Sequence, residues 1–252
     1  MSDTDMTTAV AAAGAAMEQA VSTFMMHPET FGASVAAGYQ NPLAGYVAGR
    51  GGVLGQTSGA VVASVFVVFE PAGLTALWDE GVAVRGAEGA AQQYWAQTAE
   101  FGRKYLANAQ GLDRLNALSE RVIAAAPTWG VPLFAGWRAM PLAQDAPARA
   151  LQVMFILREL RGGVHFDALT VSGIAPIEAH LLNKGPEYAQ VFGWPEPFPD
   201  VTDKKDRYAE VEQATNRRMA EIIGNGLSLA ETQELARLSE DALQVLRANV
   251  PG

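Results

Sequence analysis

The sequence predicts an all-α, multi-helix single domain of about ten helices. Apolar residues recur at helical spacing, as in Val10, Met17, Val21 and Phe24, and again in Tyr94, Phe101 and Tyr105. Prolines and glycines punctuate the runs between such segments, at His27-Pro28, Glu70-Pro71, Gly162-Gly163 and Trp194 to Pro199. A hydrophobic content of 49% with 18% charged residues is enough for a sizeable core in 252 residues.

Taken in order, Thr7 to Met26 is an alanine-rich helix that stops at His27-Pro28, because a residue before proline avoids the helical region. Glycines 45, 49, 51, 52, 55 and 59 follow, resembling a phosphate loop, but no Lys-Ser/Thr pair succeeds them and no strand precedes them. Ala60 to Phe69 is β-rich by propensity, yet its helical neighbours and the Glu70-Pro71 stop favour a buried helix. Helices are expected over Leu74 to Trp78, Ala87 to Ala107, Leu112 to Ala126 and Pro132 to Ala139. Asp145-Ala-Pro147 starts another, Ala148 to Arg161, which Gly162-Gly163 ends or kinks before Val164 to Val171. Pro176 to Leu182 adds a short helix. The core unit is thus 1–193, the proline-rich linker 194–202, and the C-terminal helical pair 203–252. That pair comprises Arg207 to Ile223 and Leu229 to Ala248, the latter opened by a capping box at Ser228 and Glu231.

Composition excludes several functions. A net charge of −9 opposes the phosphate neutralisation that drives nucleic-acid affinity, and no Lys/Arg run offers a membrane patch. The absence of cysteine removes disulfides, thiolate nucleophiles and Cys-ligated metal centres. The N-terminus is acidic where a signal peptide is basic, and Ala60 to Phe69 is far shorter than the roughly 20 residues of a membrane span. A cytoplasmic protein with no membrane partner is the expectation.

The ionisable residues concentrate in Arg158-Glu-Leu-Arg-Gly-Gly-Val-His165. Arg158 and Arg161, three apart, share a helix face while Glu159 points elsewhere. Arg50 is the lone Lys or Arg in the first 84 residues, so it is either an anchor for an anionic ligand or half of an internal salt bridge to Glu159 or Glu178. His165, placed at a helix start, would have its pKa lowered by the dipole and is the candidate catalytic residue, as base or as ligand to a metal or haem iron. A structural hydrogen bond to backbone is the simpler reading. A His165, Glu178 and His180 metal site lacks the H-E-x-x-H spacing, so no metal or cofactor is assigned. Trp78, Tyr94, Trp95, Trp129, Trp137, Met140, Met154 and Phe155 either line an apolar cavity or form the core.

Three motifs carry a family resemblance. Leu43-x-Gly-Tyr-x-Ala-Gly-Arg50-x-x-x-Leu-Gly55, Phe66-x-x-Phe69-x-Pro71 and Leu157-Arg-Glu-x-Arg-Gly-x-x-His165 resemble an EvbL-like helical family of actinobacteria, a helix-turn-helix family of poorly defined function. The likeness spans about His27 to Gly185 and resumes at Arg207-x-x-x-Val211-Glu-x-Ala-Thr-x-Arg217. Family members carry a winged-helix-like segment before that last motif, whereas Gly193-Trp194 here leads straight into the prolines, implying loss of the DNA-reading part. The family pattern also has histidine where Glu70 and Leu160 stand, and often at Gln152. The resulting expectation is a ligand-binding protein, possible enzyme or accessory protein, whose pocket for a small apolar or amphipathic molecule is rimmed by Arg50, Arg158, Glu159, Arg161, His165 and Glu178. Its alternatives are a transcription regulator, disfavoured by seven basic against ten acidic residues in 200–252, and a histidine-dependent haem or metal enzyme. The amphipathic C-terminal helices offer a homodimer contact.

Overall fold

The computed structural model describes residues 3–251. Twelve α-helices follow one another: α1 Asp3–Met26, α2 Pro28–Ala36, α3 Pro42–Gly51, α4 Gly59–Phe66, α5 Pro71–Tyr105, α6 Leu112–Ala125, α7 Pro132–Arg138, α8 Ala146–Ser172, α9 Pro176–Lys184, α10 Pro186–Val191, α11 Lys205–Gly224 and α12 Leu229–Asn249. No strand occurs among the described residues. Seven of the helices carry a proline in the first turn, where the missing N–H has no intrahelical partner to lose. His27-Pro28 therefore does two things: it stops α1, and His27 Nδ1 then accepts the Glu29 N–H to cap α2.

α8 is the central element, packed on α1, α5, α6, α7 and α11. From Ala148 to Leu160 nearly every side chain is buried, which requires a helix apolar around its whole circumference. The expected break at Gly162-Gly163 does not occur; α8 runs unbroken through both glycines to Ser172. Each glycine costs about 1 kcal/mol in a helix; packing accounts for Gly163, where a Cβ would meet Val131 Cγ1 at 2.5 Å, whereas Gly162 has nothing within 4 Å. The two segments expected within 74–107 form the one element α5, kinked at Arg85 and at Gly86, whose φ of 71° suits glycine.

Helices α2, α3 and α10 were not anticipated from periodicity. Glycine gave α3 poor helix propensity, but it is what lets α3 lie against α5: a Cβ on Gly49 would strike Tyr94 Cβ at 2.8 Å and its ring at 2.9 Å, and one on Gly81 would meet the Ala44 carbonyl at 2.4 Å. The glycine cluster is thus packing, not a phosphate loop. Ala60 to Phe69 is helical as preferred, up to Phe66.

At the C-terminus, α12 lies on α1 and α6, and α11 on α8 and α1. Their apolar stripes, including Met219, Ile222, Leu235, Leu238 and Leu246, are buried inside the chain, so the faces expected to support a dimer are already covered. The capping box forms, Ser228 Oγ accepting from Glu231 N and Glu231 accepting from Ser228 N. Between α10 and α11 stand only the proline segment and one 3-10 turn, Thr202–Lys204. Trp194 pins that segment by donating its indole N–H to the Val68 carbonyl at 2.8 Å. Among the described residues no helix is long and apolar enough to cross a membrane.

Candidate functional site

Arg50 projects from the last turn of α3 into the body of the fold, where it is 3% exposed. Its Nε and Nη2 each donate to one oxygen of Glu159, both at 2.9 Å, a two-pronged pairing that suits the planar guanidinium. Nη1 reaches the Tyr46 hydroxyl at 3.4 Å, and the Phe66 ring lies 4.4 Å from the guanidinium carbon. Burial opposes the charge on each partner. For Glu159 that push is outweighed by Arg50 and Arg158, leaving its carboxyl below the usual range; for Arg50 the Glu159 charge raises the pKa further. Of the two readings of Arg50, the internal salt bridge to Glu159 is the one formed.

Along α8, Arg158, Arg161, Gly162, His165 and Leu169 recur at three- and four-residue spacing and face one cavity of about 660 Å³. Arg158 Nη1 donates to Glu159 Oε1 at 2.8 Å. Arg161 Nη2 bonds Glu212 at 2.9 Å and Asn216 at 3.3 Å on α11, its stem passing Gly14 of α1, where a Cβ would lie 3.0 Å from Arg161 Cδ. The two arginines share a face as expected, but they sit within α8, not at its end.

The continuous helix also changes the account of His165. It lies two turns from the C-terminus of α8, so no helix start acts on it. Burial lowers its pKa, Glu212 opposes that, and Arg161 adds to it. Its Nδ1 is 3.3 Å from Thr215 Oγ1, whose own proton goes to the Val211 carbonyl at 2.8 Å. The Thr215 oxygen must therefore accept, which places the His165 proton on Nδ1 and leaves Nε2 with a lone pair. Such a nitrogen can take a proton or accept a hydrogen bond.

Glu178 does not join this group. Its carboxylate accepts from Ala175 N at 2.9 Å and is paired with Lys204, which holds its pKa down, and it lies outside the cavity lining. His180, by contrast, does line the cavity: it is 6% exposed, stacks on Tyr188 at 5.6 Å, and its Nε2 has no protein partner. Burial lowers its pKa. His165 and His180 thus line one cavity from which Glu178 is absent, and among the described residues no three His, Asp or Glu side chains are grouped to hold a metal ion.

Of the aromatic and methionine set, seven belong to the interior or pack against it, while Trp129 is 71% exposed with Arg218 over its ring. None lines the larger cavity. Its apolar wall comes instead from Met25, Val67, Val68, Phe166, Leu169 and Phe192, which sequence reasoning missed because these residues lie on four different segments. Tyr46 was the legible exception, standing four residues from Arg50 in the first motif. A smaller cavity of about 180 Å³ lies beyond, and Arg50, Val67 and Phe166 line both. Val67 has φ 60° and ψ −49°, with Val68 N–H donated to the Phe66 carbonyl at 2.6 Å, a tight γ-turn. A β-branched residue held there stores about 1–3 kcal/mol of strain.

Fold and site together define an all-helical protein with an amphipathic cavity, open to solvent at a rim that includes Gln19, Lys184 and Arg247, whose arginine-bearing side is built on α8. The chain belongs to a helix-turn-helix family, whose family model matches residues 10–250. No curated protein and no solved structure matches it.

Proposed function

We propose that the protein binds a small amphipathic molecule in the larger cavity. The observation that carries this reading is a space of about 660 Å³ bounded by charged side chains of α8 and by an apolar wall. Its volume falls within the range, roughly 300–1,000 Å³, typical of small-molecule sites. Arg158, Arg161 and His165 orient the ligand from one side; Arg50 supports them through Glu159 without contacting the ligand by its fork. His165 Nε2, with its free lone pair, is the group for proton transfer if the ligand is also turned over. Native mass spectrometry and thermal shift against a metabolite panel test the reading, with His165→Ala as control. A compound that raises the melting temperature of the parent more than that of the variant is the expected result. A panel with no binder sinks the proposal.

The family match favours a second reading, transcriptional regulation. It predicts nanomolar, salt-dependent binding to a DNA fragment by fluorescence anisotropy. Against it, residues 200–252 hold seven basic and ten acidic side chains.

A further inference from the structure

Resting on the ligand-site reading above, the charge inventory of the larger cavity defines what its polar end recognises. Five cationic side chains line it: Arg50, Arg158, Arg161, Lys184 and Arg247. Arg50 is clasped by Glu159, Arg161 by Glu212 and Asn216, and Arg247 bonds Gln19. Lys184 is exposed at the rim. Arg161 and Arg247 also bond through Nη2 alone, but Arg158 is the one of the five whose acceptor is already held twice by another arginine. It is part-buried, its one protein acceptor is Glu159 Oε1, and among the described residues no acceptor meets its Nε or Nη2. Its remaining N–H edge is open to the cavity, where the planar fork of a guanidinium can take a carboxylate.

A second, independent observation points to the same end. His180 Nε2 is buried without a partner although the side chain faces the cavity. The Tyr188 ring connects the two: it stacks on His180 with 21° between planes, and its hydroxyl lies within electrostatic reach of Arg158, Tyr46 and Glu18. Glu18 limits the charge that fits. Its carboxylate accepts the Ser22 hydroxyl at 3.2 Å and, among the described residues, pairs with no cation, so a second negative charge on the ligand would be repelled. The lining also includes Met25, Val67, Phe166 and Leu169, which offer apolar contact.

We propose that the cavity takes a small organic monoanion, a carboxylate on an apolar or aromatic body, with the carboxylate on the free edge of Arg158 beside Tyr188 and His180. Isothermal titration of the full chain with 4-phenylbutyrate, 4-phenyl-1-butanol and phenylsuccinate tests this. The monocarboxylate should bind at least about tenfold more tightly than the alcohol. Arg158→Gln should abolish that preference by weakening the acid to about the affinity of the alcohol, with the fold kept because Glu159 retains its two bonds from Arg50. Phenylsuccinate should bind more weakly than the monoanion in the parent and recover in Glu18→Gln. Should Arg158→Gln fail to fold, Tyr188→Phe must weaken the acid and not the alcohol. Equal binding of acid and alcohol, or an acid affinity indifferent to both Arg158→Gln and Tyr188→Phe, overturns the anion assignment and leaves the cavity reading standing. If neither probe binds, the monoanion assignment falls, and the metabolite panel alone decides the cavity reading.

Discussion

The Arg50–Glu159 pair permits a quantitative test of how the interior is held. Both side chains are nearly inaccessible, at 3% and 1%, so removing one partner strands a charge in a medium that cannot solvate it. Breaking such a pair costs about 3–5 kcal/mol. The geometry predicts unequal costs for the two single variants. In Arg50→Met, Glu159 keeps the bond from Arg158 at 2.8 Å, so the loss should lie near 3 kcal/mol. In Glu159→Leu, Arg50 retains only the Tyr46 hydroxyl at 3.4 Å and the Phe66 ring at 4.4 Å, so the loss should approach 5 kcal/mol. The double variant replaces both charges by apolar groups and should recover most of the deficit, to within about 1–2 kcal/mol of the parent. Urea denaturation with linear extrapolation supplies the four free energies for a double-mutant cycle. For a chain of this size the single variants should also melt about 10 °C lower. A single-variant cost below about 1 kcal/mol, or a double variant no better than the worse single, would refute the claim that the pair is a desolvated, mutually dependent unit.

Three other outcomes are expected. Burial lowers the pKa of His165 and His180, whereas in the unfolded chain each titrates near its ordinary value of about 6.5. The unfolded state then binds more protons, so stability should fall as pH drops from about 6.5 through the lowered folded values, and these groups should contribute no slope above that window; the fall should be shallower in His165→Gln, measured by urea melts at pH 7.5 and 5. Gly162→Ala, with nothing within 4 Å of its added Cβ, should stabilise α8 by about 0.5–1 kcal/mol, whereas Gly163→Ala, driven into Val131, should cost about 1–3 kcal/mol by thermal unfolding. Ser228→Ala removes the hydroxyl that accepts from Glu231 N and should cost about 1 kcal/mol, read by the same method.

Much of the secondary structure was legible because its causes are local. The termini of α1, α6, α9, α11 and α12 follow from prolines, caps and apolar spacing, all of which act within a few residues. The same local rules failed where tertiary contact reversed a propensity. Gly162-Gly163 reads as a stop, yet packing on Val131 carries α8 through it, and the glycines of α3 read as loop until α5 lies against them. His165 moved from a helix start to a helix interior for this reason, and its lowered pKa changed cause from dipole to burial.

By itself, then, the sequence determined an all-α chain, the face shared by Arg158 and Arg161, and the singular placement of Arg50, since each depends on spacing or composition alone. The tertiary structure decided which charges are satisfied. Glu159 lies 109 residues from Arg50, and His180 lies on a different helix from Arg158, so which arginine is clasped and which keeps a free edge is settled by long-range packing that no local pattern encodes. That division of partners, set by how α3, α8 and α9 meet, is what gives the cavity its polar end.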